Sequence, residues 1–318
     1  MKKTGFVHDK RFLLHDTGDY HPETAGRVDA VYDGIQKAGL LPLLRLITPR
    51  PAEMQWIHAV HEAEYVRRFE SLCSSGCTTI DYPDNQMCSC SFEIARLAVG
   101  GVLQAVDLLM EGEIDNAFCA VRPPGHHAEA GKAMGFCYFN NVAIAARYLQ
   151  RKWGIERVAI VDFDVHHGNG TQHIFEADPS VYYYSMHEHP SFAFPGTGRA
   201  FETGSGAGTG FTRNHPMLPG RGDREYEKIM DEDFLPVFDA FNPQVVLVSA
   251  GFDAHEEDDM SGISLTTAGF SRIMQTITEM ARRHADGRLI SVLEGGYNLK
   301  RLGELAANHV AILLGRPV

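Results

Sequence analysis

A few short stretches of this chain gather the side chains that could do acid–base or metal chemistry. The segment Asp162-Phe163-Asp164-Val165-His166-His167-Gly168-Asn169-Gly170 is the densest of them. Asp164 and His166 alternate, so on an extended backbone both side chains face one side. A further carboxylate, Asp253, closes the run Ala250-Gly251-Phe252-Asp253. Two carboxylates and one imidazole neutralise a divalent cation and leave a coordination position for water, the arrangement of a catalytic zinc. A lone Asp at a strand end is commonly a helix N-cap; three donors so spaced fit that reading poorly. His126 and His127 follow Arg122-Pro123-Pro124-Gly125, a stiff backbone. Adjacent histidines point apart and are more often surface or core residues than catalysts. Beside a metal they read as the base that takes a proton from water and the acid that protonates a leaving amine, since imidazole titrates near neutrality. Tyr297 ends Glu294-Gly295-Gly296-Tyr297, where a phenol can donate to a developing oxyanion. Alone, it reads equally well as a buried aromatic with a satisfied hydroxyl.

Something must hold these stretches together. Short apolar runs lead into them at 117–121, 157–162, 244–250 and 288–293, with a fifth at 181–185. Their continuous apolar character predicts strands buried on both faces, as in a parallel sheet. Helical periodicity predicts helices over 91–110, 140–153, 224–241, 266–283 and 302–314. Gly100-Gly101 inside the first costs about 1 kcal/mol per glycine, so close packing is expected there. The alternation argues an α/β fold with one mostly parallel sheet flanked by helices. Four strands then deliver acids, histidines and a tyrosine at their carboxyl ends, the edge where ligands bind. No repeat, low-complexity tract or linker interrupts residues 1–318, so a single domain is expected.

Composition narrows the partners. With 44% hydrophobic and 22% charged residues the chain is globular in character. Lys and Arg number 29 against 41 Asp and Glu, a net charge of −12. That sign argues against nucleic acid and anionic membranes and leaves polyamines and lysine-rich tails open. No apolar run approaches the roughly 18 residues of a membrane span. Charges also break the apolar stretches of MKKTGFVHDKRFLLHD, against a secretory signal. A cytoplasmic location is expected, and homo-oligomerisation stays open. Cys73, Cys77, Cys88 and Cys90 suggest a structural zinc or redox pair, but their C-x3-C and C-x-C spacings favour free thiols. Cys119 reads as a small core residue. The glycine-alternating stretch 204–210 lacks a GxGxxG register and a lysine, so it is no phosphate loop.

The motifs RPPGHHA (122–128), GFCYFN (135–140), DFDVHHGNGTQ (162–172), SAGFDAH (249–255) and LEGGYN (293–298) occur in this order. Together they resemble the zinc-dependent histone deacetylase family, most closely its class II and bacterial amidohydrolase branch, over nearly the whole chain. The resemblance implies an arginase-like α/β fold and amide hydrolysis with one zinc held by Asp164, His166 and Asp253. His127 would be the general base and then acid, His126 its electrostatic neighbour held by Asp162, and Tyr297 the donor to the scissile carbonyl. Phe136 and Phe194 would wall a tunnel for an acyl-lysine stem, with Gly135 a backbone acceptor beside it. A structural potassium ion is implied at Asp162, Asp164, His166, Ser185 and Met186, and a second at Phe175, Asp178, Val181 and Phe211.

Asn169 stands where some family members have Asp, as in class II, and should stabilise a His127 imidazolium less than a carboxylate would. Tyr297, rather than His, favours ordinary acetyl groups. Acetyl-lysine of a protein or peptide is the leading substrate; acetylpolyamine or another small amide is the alternative. Polyamine-selective relatives place a glutamate seven residues beyond the ligand aspartate, where this chain has Met260. The acidic run Glu256-Glu257-Asp258-Asp259 would either rim the pocket or form a solvated loop. His187-Glu188-His189 hints at a second metal but reads more simply as spare surface histidines. A non-catalytic acyl-lysine reader conflicts with the full catalytic set, and a binuclear manganese ureohydrolase would need further bridging carboxylates.

Overall fold

The runs VVLVSA and LISVL bury every residue, which requires cover on both faces of their sheet. The computed structural model describes residues 2–318. Its strands are β1 (Thr4–Val7), β2 (Arg45–Ile47), β3 (Thr79–Ile80), β4 (Tyr82–Gln86), β5 (Asn116–Cys119), β6 (Val158–Asp162), β7 (Val181–Glu188), β8 (Thr212–Met217), β9 (Val245–Ala250) and β10 (Leu289–Leu293). Eight of them form one all-parallel sheet in the order β2-β1-β5-β10-β9-β6-β7-β8, while β3 and β4 make a separate antiparallel hairpin. The helices are α1 (Gly26–Lys37), α2 (Met54–Ile57), α3 (Ala63–Ser74), α4 (Ser91–Met110), α5 (Asn141–Trp153), α6 (Asn169–Phe175), α7 (Asp223–Ile229), α8 (Leu235–Phe241), α9 (Thr267–His284) and α10 (Leu299–Leu313).

Successive strand residues enter opposite cores. Ile160, Leu247, Ile290 and Val292 pack with α3, α4 and α5 on one face. Val161, Val248, Leu289 and Leu293 pack with α1, α8, α9 and α10 on the other. The result is one α/β domain of three layers, as the strand–helix alternation predicts. Gly100 explains its own place in α4: a Cβ there would lie 2.8 Å from the Ala52 backbone nitrogen. Among the described residues no helix is long and apolar enough to cross a membrane.

The four strands expected to carry the chemistry, β5, β10, β9 and β6, are contiguous at the centre of the sheet. Asp162 ends β6 opposite Ser249 of β9 and Ser185 of β7, so their loops leave the sheet side by side.

Two expectations need correction, and one strand carries no apolar signal. The helix expected over 224–241 is broken: α7 and α8 are joined by a wider turn, Met230–Phe234, in which Leu235 N bonds back to Met230 O. Pro236 has no N–H and its ring crowds the preceding turn, so the helix widens there. The strand expected to stop at Ser185 continues to Glu188. His187 and Glu188 are consequently buried, not spare surface residues. His187 sits between Ser185 Oγ at 2.7 Å and Gly198 O at 2.8 Å. Finally, the edge strand β8 escapes any apolar pattern because it is polar, TRNHPM; Pro216 is tolerated at an edge.

Candidate active site

Asp164, His166 and Asp253 come together at the carboxyl ends of β6 and β9, all buried, with their ligand atoms within 4.8 Å of one another. His166 Nδ1 lies 3.2 Å from Asp164 Oδ1 and 3.1 Å from Asp253 Oδ2. Ligands of a tetrahedral zinc at about 2.0–2.1 Å stand roughly 3.3 Å apart, so the donor set fits such an ion. The second oxygen of each carboxylate is held by backbone: Asp164 Oδ2 accepts from Gly295 N at 2.7 Å and Asp253 Oδ1 from Val165 N at 3.0 Å. Such bonds orient ligands before any cation arrives. Burial, together with the neighbouring Asp164 charge, pushes Asp253 up to about 6, a crowding that a divalent cation would relieve.

The two adjacent histidines have opposite characters. His126 Nδ1 donates to Asp162 Oδ2 at 3.0 Å, and Tyr183 Oη donates to the same oxygen at 3.0 Å. Burial alone would lower His126, but the Asp162 and Asp164 charges raise it to about 10. His127 Nδ1 faces Asn169 Oδ1 at 2.8 Å. Burial, then the neighbouring His126 and His166, hold His127 well below the usual imidazole range. A cationic His126 thus stands beside a neutral His127.

A pocket of about 180 Å³ opens above them, lined by Asp84, His127, Gly135, Phe136, His166, Phe194, Met260 and Tyr297. The Phe194 ring meets His127 edge-on at 4.9 Å, and Phe136 meets Tyr297 edge-on at 6.1 Å. Gly135 and Phe136 both take left-handed φ, +54° and +67°, a conformation that is costly for a phenylalanine. Asn85 Oδ1 helps to hold it by accepting from Phe136 N at 2.9 Å. Gly135 carries no Cβ because one would collide with His127 and come within 2.8 Å of Phe194. Its carbonyl accepts from the Cys137 thiol at 3.3 Å.

Tyr297 is placed from behind by residues the motifs do not include. The Arg27 guanidinium covers its ring at 4.9 Å and donates to Gly296 O at 2.7 Å and Glu294 O at 2.5 Å. Glu23 bridges Arg27 at 3.0 Å and Arg122 at 2.6 Å, all three fully buried. Burial raises the Tyr297 phenol well above its ordinary value, so it remains a donor.

His126, Cys137 and Glu294 form a second close group of ligand types, but their atoms are already committed. Glu294 accepts from Gly125 N at 2.6 Å, His126 N at 3.1 Å and Ser249 Oγ at 3.1 Å. It braces the histidine loop. The cysteine run supplies no metal site: among the described residues no three of its thiols come together. Cys73 is buried beside Met87, and Cys88 donates to Leu14 O at 3.3 Å. The acidic run does not line the pocket; Glu257 pairs with Arg301 and Asp258 is buried.

Of the residues implied to hold potassium, Asp162 and Ser185 are register partners across β6 and β7. Met186 follows Ser185 on β7, and Asp164 and His166 lie on the loop after β6. Phe175, Asp178, Val181 and Phe211 lie around the start of β7, where Phe175 O accepts from Asp178 N at 2.9 Å and Phe211 O from Tyr183 N at 3.0 Å.

The chain is similar to curated proteins and to a solved structure over most of its length. The chain is 39% identical over 312 residues to a probable deacetylase of Archaeoglobus fulgidus, covering 98% of this chain and 85% of that one. It is 39% identical to the histone deacetylase-like amidohydrolase of Pseudomonas aeruginosa, over 93% of this chain and 82% of that protein. The crystal structure of the HDA15 HD domain superposes with a TM-score of 0.93 at 37% identity, covering 99% of this chain and 89% of that one. Fold and relatives together define a hydrolase. The profile described as the histone deacetylase domain matches residues 21–313, and the chain belongs to the histone deacetylase family.

Proposed function

We propose that this hydrolase removes acetyl groups from N-acetyl-lysine side chains of proteins or peptides, using one zinc ion at Asp164, His166 and Asp253. The observation that carries the reading is the pocket: Phe136, Phe194 and Met260 form its wall, and His127, His166 and Tyr297, with Asp84, are its polar residues. An acyl-lysine has the matching chemistry, an uncharged aliphatic stem with one amide at its end. At about 180 Å³ the pocket falls below the roughly 300–1,000 Å³ of sites for drug-sized ligands, which suits a slender group.

A zinc ion bound there would supply Lewis acidity to the amide carbonyl and to a water. The neutral His127 accepts the proton of that water through Nε2, since Nδ1 already donates to Asn169. The Tyr297 hydroxyl donates to the carbonyl oxygen as negative charge develops on it. His126, held as a cation by Asp162, adds positive charge beside the reacting carbon. His127 then returns its proton to the departing amine nitrogen, leaving acetate and a free lysine.

One observation favours the acetylpolyamine alternative: the acidic residue Asp84 is among those lining the pocket, and its carboxylate could pair with a distal ammonium. Turnover of the zinc-loaded protein on an acetyl-lysine peptide and on N8-acetylspermidine, each with a chelated control, tests both. A peptide preference abolished by chelation is expected. Preference for acetylspermidine would transfer the assignment to polyamines, and metal-independent turnover or none would overturn both readings.

A further inference from the structure

Two loops meet behind the pocket wall, and one buried carboxylate joins them. Asp258 lies in the loop between β9 and α9, five residues past Asp253, and is 6% exposed. Its Oδ2 accepts from Tyr297 N at 2.6 Å and from Asn298 N at 2.9 Å, in the loop between β10 and α10. Its Oδ1 accepts from Met260 N at 3.1 Å. Both oxygens are thus spent on backbone donors, one on the tyrosine's loop and one on the loop that presents Met260 to the pocket.

The bond to Tyr297 matters because of what precedes it. Gly295 and Gly296 leave this backbone soft, and Gly296 takes φ +115°, a region closed to most side chains. The peptide joining Gly296 to Tyr297 is held at both ends. Arg27 Nε donates to its carbonyl oxygen at 2.7 Å, and its N–H donates to Asp258 at 2.6 Å. A cation and an anion therefore grip opposite edges of one peptide plane, and the plane sets the direction in which the Tyr297 side chain leaves the backbone. Asn298 continues the junction: its Oδ1 caps α10 by accepting from Arg301 N at 3.2 Å, and its Nδ2 donates to Glu257 O at 2.6 Å. Beyond Met260 the loop is fixed again, with Gly262 N donating to Glu188 Oε1 at 3.1 Å.

We propose that Asp258 is a positioning residue that sets the Tyr297 hydroxyl for the reaction and couples its placement to that of Met260 on the pocket wall. This inference rests on the deacetylase reading above and adds to it a group that touches no substrate. Asp258→Asn keeps the size of the side chain but leaves one acceptor oxygen where two are used. A displacement of about 1 Å at a reacting group can cost on the order of 100-fold in rate. We therefore expect kcat on an acetyl-lysine peptide to fall about 10-fold to 100-fold, with KM changed by less than about threefold.

A double-mutant cycle tests the positioning of the hydroxyl, with zinc content and thermal melting recorded for every variant. In a Tyr297→Phe background the hydroxyl is already gone, so adding Asp258→Asn should lower kcat by less than about twofold. An equal fractional loss in both backgrounds would make Asp258 merely structural, and unchanged kcat in the single variant would also overturn the proposal. Should Asp258→Asn fail to fold, Asp258→Glu carries the same cycle, because it keeps the charge and displaces the oxygens by one methylene. The wild-type protein reports on the parent reading separately. If it turns over only N8-acetylspermidine, the cycle is run on that substrate; if it turns over neither, the parent reading and this proposal fall together.

Discussion

Asn169 presents its amide oxygen, not its nitrogen, to His127 Nδ1 at 2.8 Å, because Glu129 Oε1 accepts from Asn169 Nδ2 at 2.5 Å. The orientation fixes the tautomer: Nδ1 carries the hydrogen and Nε2 keeps its lone pair. One residue earlier, His126 faces the carboxylate of Asp162 instead. An amide behind one ring and an acid behind the other separate a neutral imidazole from a cationic one.

Replacing Asn169 by Asp removes that separation. A carboxylate on Nδ1 favours imidazolium, so the His127 pKa rises from its depressed value. The base is active only when neutral, so the acid limb of kcat/KM should move to higher pH in Asn169→Asp. A pH–rate profile from 5 to 9 beside the wild type reads this directly. An unmoved limb, or one shifted to lower pH, would mean that His127 is not the titrating base.

Tyr297→Phe should keep its metal and lose turnover. The phenol lies outside the ligand set of Asp164, His166 and Asp253, so metal content by atomic spectroscopy should match the wild type. Removing one donor to a developing oxyanion typically costs about 10²–10³ in kcat. Turnover within a few-fold of wild type would remove Tyr297 from the mechanism.

The motifs made much of this site legible because strand ends concentrate chemistry. Asp162, Asp164, His166 and Asp253 follow apolar runs that could only be buried strands, and the structure sets those strands side by side. What escaped was held by long-range packing. Glu23 and Glu129 lie outside the helices and strands and Arg27 lies in the first turn of α1, and each matters here through a residue distant in the chain. Asp258 was visible as an acid, but its neighbours Glu256, Glu257 and Asp259 made the run look like a solvated loop. Nothing local distinguishes the one carboxylate that turns inward to three backbone N–H groups. Glu188 failed for a related reason: a polar residue beyond an apolar run looks like surface until the strand is found to extend through it.

Glu23 offers a test of stability rather than turnover. It stands between the guanidinium groups of Arg27 and Arg122, with no exposed side-chain area. Glu23→Ala leaves two buried cations without their shared acid, a loss that costs about 3–5 kcal/mol when one partner of a buried pair is removed. Denaturant unfolding of the variant should show a loss of that order. A loss below about 1 kcal/mol would show that backbone carbonyls alone satisfy both arginines.

Met260 is the position from which substrate choice can be moved. It lines the pocket with Asp84, and its thioether offers no charge to a distal amine. Met260→Glu places a second carboxylate on the same lining. An acetylated polyamine carries a distal ammonium that can pair with it, whereas the rest of an acetyl-lysine peptide has no fixed cation there. One such pair at a partly exposed site is worth up to about 1 kcal/mol, or roughly fivefold, since about 1.4 kcal/mol corresponds to tenfold. The ratio of kcat/KM for N8-acetylspermidine to that for the peptide should therefore rise about fivefold in Met260→Glu. The gain should shrink at high salt, where exposed pairs are screened. A ratio that stays constant would mean that the distal amine lies beyond the reach of residue 260 and that another part of the lining, Asp84 first, sets the choice.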